Sequence, residues 1–524
     1  MKRKSVIAML MATTLLAGIF TGCQAKTSET PVEGTQTETP AVIADTKETE
    51  TVKVTADVEE TKTPKYVFLF IGDGMSYPQF QAASDYLGAL ADDDDIVSGG
   101  ENLSFMNFDV AGTATTFDST SFCPDSASTA TSISTGYKTH SGVINMDETK
   151  TVAYETISEK LKEQKDYKIG IISSVNLNHA TPAAFYAHQA SRNSYYDIGV
   201  EMVESGFDYF AGGGLKQETG ENEDQTSLYT LAEEAGYKVL KTQEEAEALT
   251  AEDGKAIIIG ETLADSDSLS YDNDRADEEW ALADYVEKGI EVLDNETGFF
   301  LMTEGGKIDW ACHANDAGST VADTLALADA VQVAVDFAKE HAEETLILVT
   351  GDHETGGLTI GYAGTDYDTF LTNLENQQIS YAKYDSDYVA GYIENQTSFE
   401  DAMKDVEKLF GLVTPENAAN AADETLVLND YEMGLLREAY EVTLAGGLGE
   451  EPAQADYVKY GTYEPFSVTV THLLNNKSGI NFASYAHTGL PVAVFAEGVG
   501  AETFDGYYDN TDIYNKMADL LGVE

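Results

Sequence analysis

Cysteine is scarce in this chain: Cys23, Cys123 and Cys312 are the 3 thiols among 524 residues. So few cannot build a disulfide scaffold, and the fold has to rest on a packed core. Basic residues are scarce as well. Lys and Arg number 30 against 92 Asp and Glu, which leaves a formal net charge of −62. No basic footprint remains for nucleic acid, and that partner class is excluded. The same charge repels anions at long range, so any site that takes one needs local positive charge of its own. Histidine is also rare, at 8 residues, which makes each placement informative. What the chain does have is an ordinary hydrophobic share of 42%, enough for a substantial core. Its length could hold two or three domains, although α/β enzymes often run large as one unit.

The two ends differ from the body. Lys2, Arg3 and Lys4 precede an apolar run from Val6 to Phe20, so residues 1–22 read as a signal peptide. The following Phe20-Thr21-Gly22-Cys23 resembles a bacterial lipobox, which implies a lipidated Cys23. That places the protein outside the cell, anchored by lipid at the outer face of the bacterial membrane; secreted or periplasmic release is the alternative. The rest of 23–63 is rich in Thr, Glu, Lys and Pro and has no aromatic residue. It cannot bury enough surface to fold and reads as a disordered tether. Residues 64–524 form the expected catalytic unit, with Cys123 and Cys312 as free, buried thiols near its site.

Within that unit, Tyr66 to Ile71 is a continuous apolar run ending in Gly72-Asp73-Gly74, the pattern of a strand buried on both faces. Similar strands are expected at 168–175, 207–210, 256–259, 298–303, 345–350 and 491–495, and helices at 151–164 and 320–339. The alternation predicts an α/β fold: a central, mostly parallel sheet flanked by helices. From about 367 to 468 the alternation stops. Ser398 and Asp401 make a capping box before one amphipathic helix, and a second helix runs from about Asp430 to Gly446-Gly447. This block reads as a large mixed insertion forming a lid, a crown or a subunit interface.

Candidate chemistry collects at the ends of the apolar runs. Asp125-Ser126 opens a run of small residues, which sets the Ser126 hydroxyl at a helix N-terminus that favours an anion. Asp73, between glycines at a strand end, is a turn residue or a ligand. Thr181 follows the next strand, and Arg192 lies eleven residues beyond it; a guanidinium suits two phosphate oxygens but equally a surface ion pair. Asp309 and His313 stand four apart, sharing one helix face after Glu304. Asp352-His353 ends another strand, and His487 precedes the last one.

In this order the motifs resemble the alkaline phosphatase family from about Lys65 to the C-terminus. The resemblance implies two zinc ions and one magnesium ion. Asp309, His313 and His487 would hold the first zinc; Asp73, Asp352 and His353 the second, joined by Ser126 when deprotonated. Asp73, Thr181 and Glu304 would hold the magnesium. Asp125 resembles the residue that orients the family's arginine, here Arg192. His179 and Trp310 stand where certain bacterial members carry Asp and Lys, and both neighbour the magnesium position. The implied reaction is hydrolysis of small phosphate monoesters through a phosphoserine, with broad specificity and an alkaline optimum. Alternatives are a phosphodiesterase or other esterase of the same metalloenzyme superfamily, or a surface lipoprotein that binds phosphate or metal without turnover. A homodimer is left open.

Overall fold

The computed structural model describes residues 62–91, 97, 99–449 and 452–524. The signal peptide, Cys23 and the tether up to residue 61 fall outside the described residues. Among the described residues, no helix is long and apolar enough to cross a membrane.

Ten strands build the central sheet: β1 (Tyr66–Gly72), β2 (Val110–Thr115), β3 (Lys168–Asn176), β4 (Tyr209–Gly213), β5 (Lys238–Leu240), β6 (Ala256–Ile259), β7 (Phe299–Gly305), β8 (Thr345–Gly351), β9 (Val492–Gly498) and β10 (Tyr507–Asp509). Their spatial order is β10-β2-β9-β8-β1-β7-β3-β4-β6-β5. Only β9 runs against the rest, antiparallel to both β2 and β8. The sheet is therefore mostly parallel, as the strand–helix alternation requires, because parallel neighbours need a crossover between them.

Apolar periodicity explains why β1, β7 and β8 lie at the centre. Side chains alternate across a strand, and in β1 both sets are buried. Tyr66, Phe68 and Phe70 enter one core layer, with Phe299, Leu301, Ile347 and Val349. Val67, Leu69 and Ile71 enter the other, with Phe300, Met302, Leu346 and Leu348. Each fully buried side chain of this size contributes about 1.5–3 kcal/mol relative to exposure. The helices Leu282–Leu293 and Ala317–Glu340 cover the first face. Ile157–Lys165, Tyr195–Ser205 and Thr511–Leu521 cover the second.

Three strands were not expected: β2, β5 and β10. They are short or carry small and polar residues, such as Val-Ala-Gly-Thr-Ala-Thr in β2, and at sheet margins pairing rather than hydrophobic pattern decides their state. The helix expected from 151 starts at Ile157 instead, because Thr156 and Glu159 form a capping box. The stretch 367–468 is helical in its described part, and both expected helices form, over Phe399–Phe410 and Asp430–Leu444. Its Leu374, Tyr384, Phe410, Leu436 and Phe466 join the same core layer as Phe68 and Phe70.

Register then creates a common edge. Gly72, Gly305 and Gly351 stand level on β1, β7 and β8, so Asp73, Glu304 and Asp352 reach the C-terminal edge together. At Gly351 a Cβ would lie 1.9 Å from the Met75 carbonyl oxygen; only glycine admits that approach. Gly74 takes φ +71°, which turns the chain sharply behind Asp73.

Candidate active site

Apart from Ile133, the helix Ser126–Thr135 is made of small residues, and all ten are buried. Small side chains let it seat closely beside the sheet edge. Asp125 is its N-cap, accepting from Ser128 N at 3.2 Å. Ser126 is therefore the first helical residue and not the cap. Its hydroxyl is buried and lies 3.1 Å from His353 Nε2. One turn on, Thr129 donates to Asp352 Oδ2 at 3.1 Å. Asp352 Oδ1 also accepts from Gly74 N at 3.2 Å and His353 N at 2.9 Å.

Arg192 reaches the same place from the loop before Tyr195–Ser205. Its Nη1 donates to Asp125 Oδ2 at 2.9 Å, and its Nη2 lies 3.4 Å from His179 Nε2. Burial would raise the Asp125 carboxyl, but the Arg192 guanidinium, Gly142 N–H and the Ser128 hydroxyl outweigh it and hold it below its ordinary range. The loop is anchored by His188, 3.4 Å from Glu159 and 3.5 Å from Glu201. Burial alone would lower His188; the two carboxylates prevail and hold it up at about 10.

Three groups of side chains converge closely enough to hold a cation each: Asp309, His313 and His487; Asp73, Asp352 and His353; Asp73, His179 and Glu304. Asp73 is common to the last two. Asp309 and His313 share one face of the helix Lys307–His313, with Nε2 3.4 Å from Oδ1. His487 comes from a two-residue strand paired with Glu354–Thr355, which delivers it 3.6 Å from Asp309 Oδ1. Thr181, in a helical turn after β3, donates to Asp73 Oδ2 at 3.2 Å.

The donor chemistry fits cations. His313 Nδ1 faces the Tyr485 carbonyl at 2.7 Å, and His487 Nδ1 faces the Pro124 carbonyl at 2.5 Å. A carbonyl only accepts, so both Nδ1 atoms carry the proton, and both Nε2 lone pairs point into the site. Yet those two Nε2 atoms are 3.0 Å apart. Facing lone pairs repel unless a positive centre lies beside them. His353 follows the same rule: Thr355 Oγ1 donates to Asp309 Oδ1 at 2.5 Å and so accepts from His353 Nδ1 at 3.3 Å. In the third group, Asp73 Oδ1, Glu304 Oε1 and His179 Nδ1 are buried without any hydrogen-bond partner among the described residues. Buried polar atoms left this way are costly unless something else satisfies them.

Charge tells the same story. Burial, reinforced by Asp352, pushes Asp73 well up. Burial also pushes Glu304 up to about 7, and Asp352 up to about 6 with Asp309 adding to it. Burial lowers His353 and His487 to about 4 and His179 to about 3. Carboxylates short of counter-charge beside neutral imidazoles form a set that divalent metal completes.

Among the described residues, Ser126, Asp125, Arg192, the expected metal ligands, His179 and Trp310 lie in or against this cluster, whereas Cys23 falls outside the described residues. His179 stands closer than expected, among the third group's oxygens and not merely beside it. Trp310 lies edge-on to it, with ring centroids 6.0 Å apart. Cys312 is free and buried as expected, but Cys123 is exposed; it sits in the surface loop before Asp125, where no core element covers it. Sequence reasoning missed Thr355, Thr129 and Ser173, whose hydroxyls bond Asp309, Asp352 and Glu304. Thr355 had a signal, two residues after His353. Ser173, inside a buried strand, had none. Also missed was Glu354, which ties Gln79, Gly357 and Thr488 together behind the His487 strand.

The sequence profile of the alkaline phosphatase family matches residues 64–523. Alkaline phosphatase 4 of Bacillus subtilis is 28% identical over 465 residues, spanning 87% of this chain and 88% of that protein. The alkaline phosphatase of Schizosaccharomyces pombe is 29% identical over 483 residues, or 88% of this chain and 82% of its own. Among solved structures, the cold-active alkaline phosphatase of a psychrophilic Shewanella sp. superposes with a TM-score of 0.70 at 27% identity, covering 87% of this chain and 99% of that one. With a match that runs nearly the whole length of the folded unit, the chain belongs to the alkaline phosphatase family and is a phosphate-ester hydrolase.

Proposed function

We propose that this enzyme hydrolyses phosphate monoesters through a phosphoserine at Ser126, with broad specificity and an alkaline optimum. The observation that carries the reading is the buried Ser126 hydroxyl, 3.1 Å from His353 Nε2, with the Arg192 fork anchored on the adjacent Asp125. Asp309, His313 and His487 would hold one zinc and Asp73, Asp352 and His353 a second. Asp73, Thr181 and Glu304 would hold magnesium, with His179 as a further donor. Bound there, the metals supply Lewis-acid charge that eases deprotonation of the serine and departure of the leaving oxygen.

The chain's own groups do the rest. Arg192 binds two non-bridging oxygens of the substrate and supplies the local positive charge that a protein of net charge −62 otherwise lacks. Asp125 holds that guanidinium and caps the helix that presents the Ser126 hydroxyl. Ser126 Oγ bonds to phosphorus as the ester P–O bond breaks and the alcohol departs with a proton. Water then attacks phosphorus from the vacated side, the P–Oγ bond breaks, and Ser126 recovers its proton as inorganic phosphate leaves. Serine and water must both lose a proton on attack, hence the alkaline optimum. Little beyond the phosphate is held in this scheme, hence the breadth. Rates on matched monoester and diester substrates test it: monoesters are expected to react faster by at least about a hundredfold, the scale of one lost oxyanion contact. A diester preference would sink the assignment in favour of a phosphodiesterase.

Export with lipidation at Cys23 is part of the same proposal, supported by the Lys2–Lys4 charge, the apolar run and the lipobox-like Phe20 to Cys23. Cys23→Ser is expected to move the protein from the membrane fraction to the medium. Unchanged retention argues against the anchor.

A further inference from the structure

Beside β6 and β7 lies a cavity of about 440 Å³ that the phosphatase chemistry does not use. Its size is within the range that holds a small organic molecule. Ser174 and Gly305 form part of its wall, one residue from Ser173 and Glu304. The rest combines apolar and aromatic side chains, among them Leu269, Leu282, Trp280 and Tyr285, with acidic ones. Trp280 and Tyr285 meet edge to face at 5.2 Å.

The charge on the wall is one-sided. Glu261, Asp272, Glu278, Glu279 and Asp323 face a single base, Arg275. That base is already committed: its Nε donates to Asp272 Oδ1 at 3.0 Å and its Nη1 to the Glu279 carbonyl at 3.1 Å. Lys307 lies close by, but its ammonium is bound to Asp265 at 2.7 Å. Asp323, only 7% exposed, therefore shares the Lys307 charge with Asp265 and has no base within bonding distance among the described residues. Among the described residues, its sole hydrogen bond is a long one, 3.4 Å from Asp272 N to Oδ2. Burial and Asp272 push its carboxyl well up, and Lys307 offsets this only in part, so a further cation at this position would favour the ionised form. The acids do not converge as the three metal groups do, and the space greatly exceeds one ion.

We propose that this cavity binds a small organic ammonium ion with an apolar or aromatic body. The ammonium would donate to Asp323, and the body would lie against Trp280 and Tyr285, where the ring faces also attract a cation. A phosphate ester is repelled by the same wall, so this is not a second substrate site. The inference does not depend on the phosphoserine reading or on the metal assignments.

The chain has 2 tryptophans, so Trp310→Phe leaves Trp280 as the only indole reporter. In that background, the full-length, metal-loaded protein is titrated with benzylamine, neutral benzyl alcohol and calcium chloride while Trp280 emission is followed. Benzylamine is expected to saturate the signal and to bind at least ten times more tightly than benzyl alcohol. Asp323→Asn is expected to erase that preference. Ala326→Phe, which fills the cavity from its wall, is expected to abolish the response and covers the case in which the Asp323 variant does not fold. Equal binding of amine and alcohol, a benzylamine response that survives Ala326→Phe, or a response to calcium alone would each overturn the proposal.

Discussion

Ser126→Ala is expected to yield a folded, metal-binding protein whose monoester turnover falls by about four to six orders of magnitude, the usual consequence of deleting a covalent nucleophile. The fold should tolerate the change. Ser126 Oγ has one hydrogen-bond partner, His353 Nε2, so its loss costs about 1 kcal/mol, and alanine suits the first turn of a helix. The site's Thr129 and Thr181 hydroxyls are engaged, with Asp352 and Asp73 respectively. Steady-state rates, metal content and acid-quench trapping of the phosphorylated wild type make the measurement. Full activity in the alanine variant would falsify the nucleophile assignment, and retained metal would separate that failure from misfolding.

Thorough chelation is expected to remove at least about three orders of magnitude of activity, since metal charge supplies several kcal/mol to transfers of this kind. Zinc with magnesium should restore it, whereas either metal alone should restore it in part. The warrant is local: Nε2 lone pairs facing each other at 3.0 Å, together with partnerless oxygens on Asp73 and Glu304. His487→Ala, which leaves Asp309 and His313 short of a third donor, should weaken zinc retention most. Turnover that persists in protein shown by elemental analysis to be metal-free would defeat the ligand assignments.

Legibility differed by residue for physical reasons. Asp73 and Asp352 could be read because each follows an unbroken apolar run and a glycine, a pattern that local sterics and burial almost dictate. Asp309 and His313 could be read from helical spacing. Ser173 could not, since a serine within a buried strand carries no local mark. Thr129 could not either: in the Ser, Ala and Thr run that opens its helix the positions look alike until a neighbour is brought against them. His179 showed as a neighbour of the third group, and only three-dimensional convergence put its ring among the ligands. Strands β2 and β10 escaped notice because their state follows from pairing with β9 and with each other, and not from their own hydrophobicity.

Local order in the chain was sufficient for the layered sheet, the helix starts and the list of reactive side chains, because periodicity, capping and strand-end glycines act over a few residues. Convergence was a different matter. That Gly72, Gly305 and Gly351 come level, that His487 swings in on a two-residue strand, and that Asp73 serves two groups at once are consequences of register and of contacts between segments hundreds of residues apart. The cavity beside β6 and β7, with Asp323 on its wall, belongs to the same class. Such distances have no signature in sequence, since they arise only when separate elements are packed together.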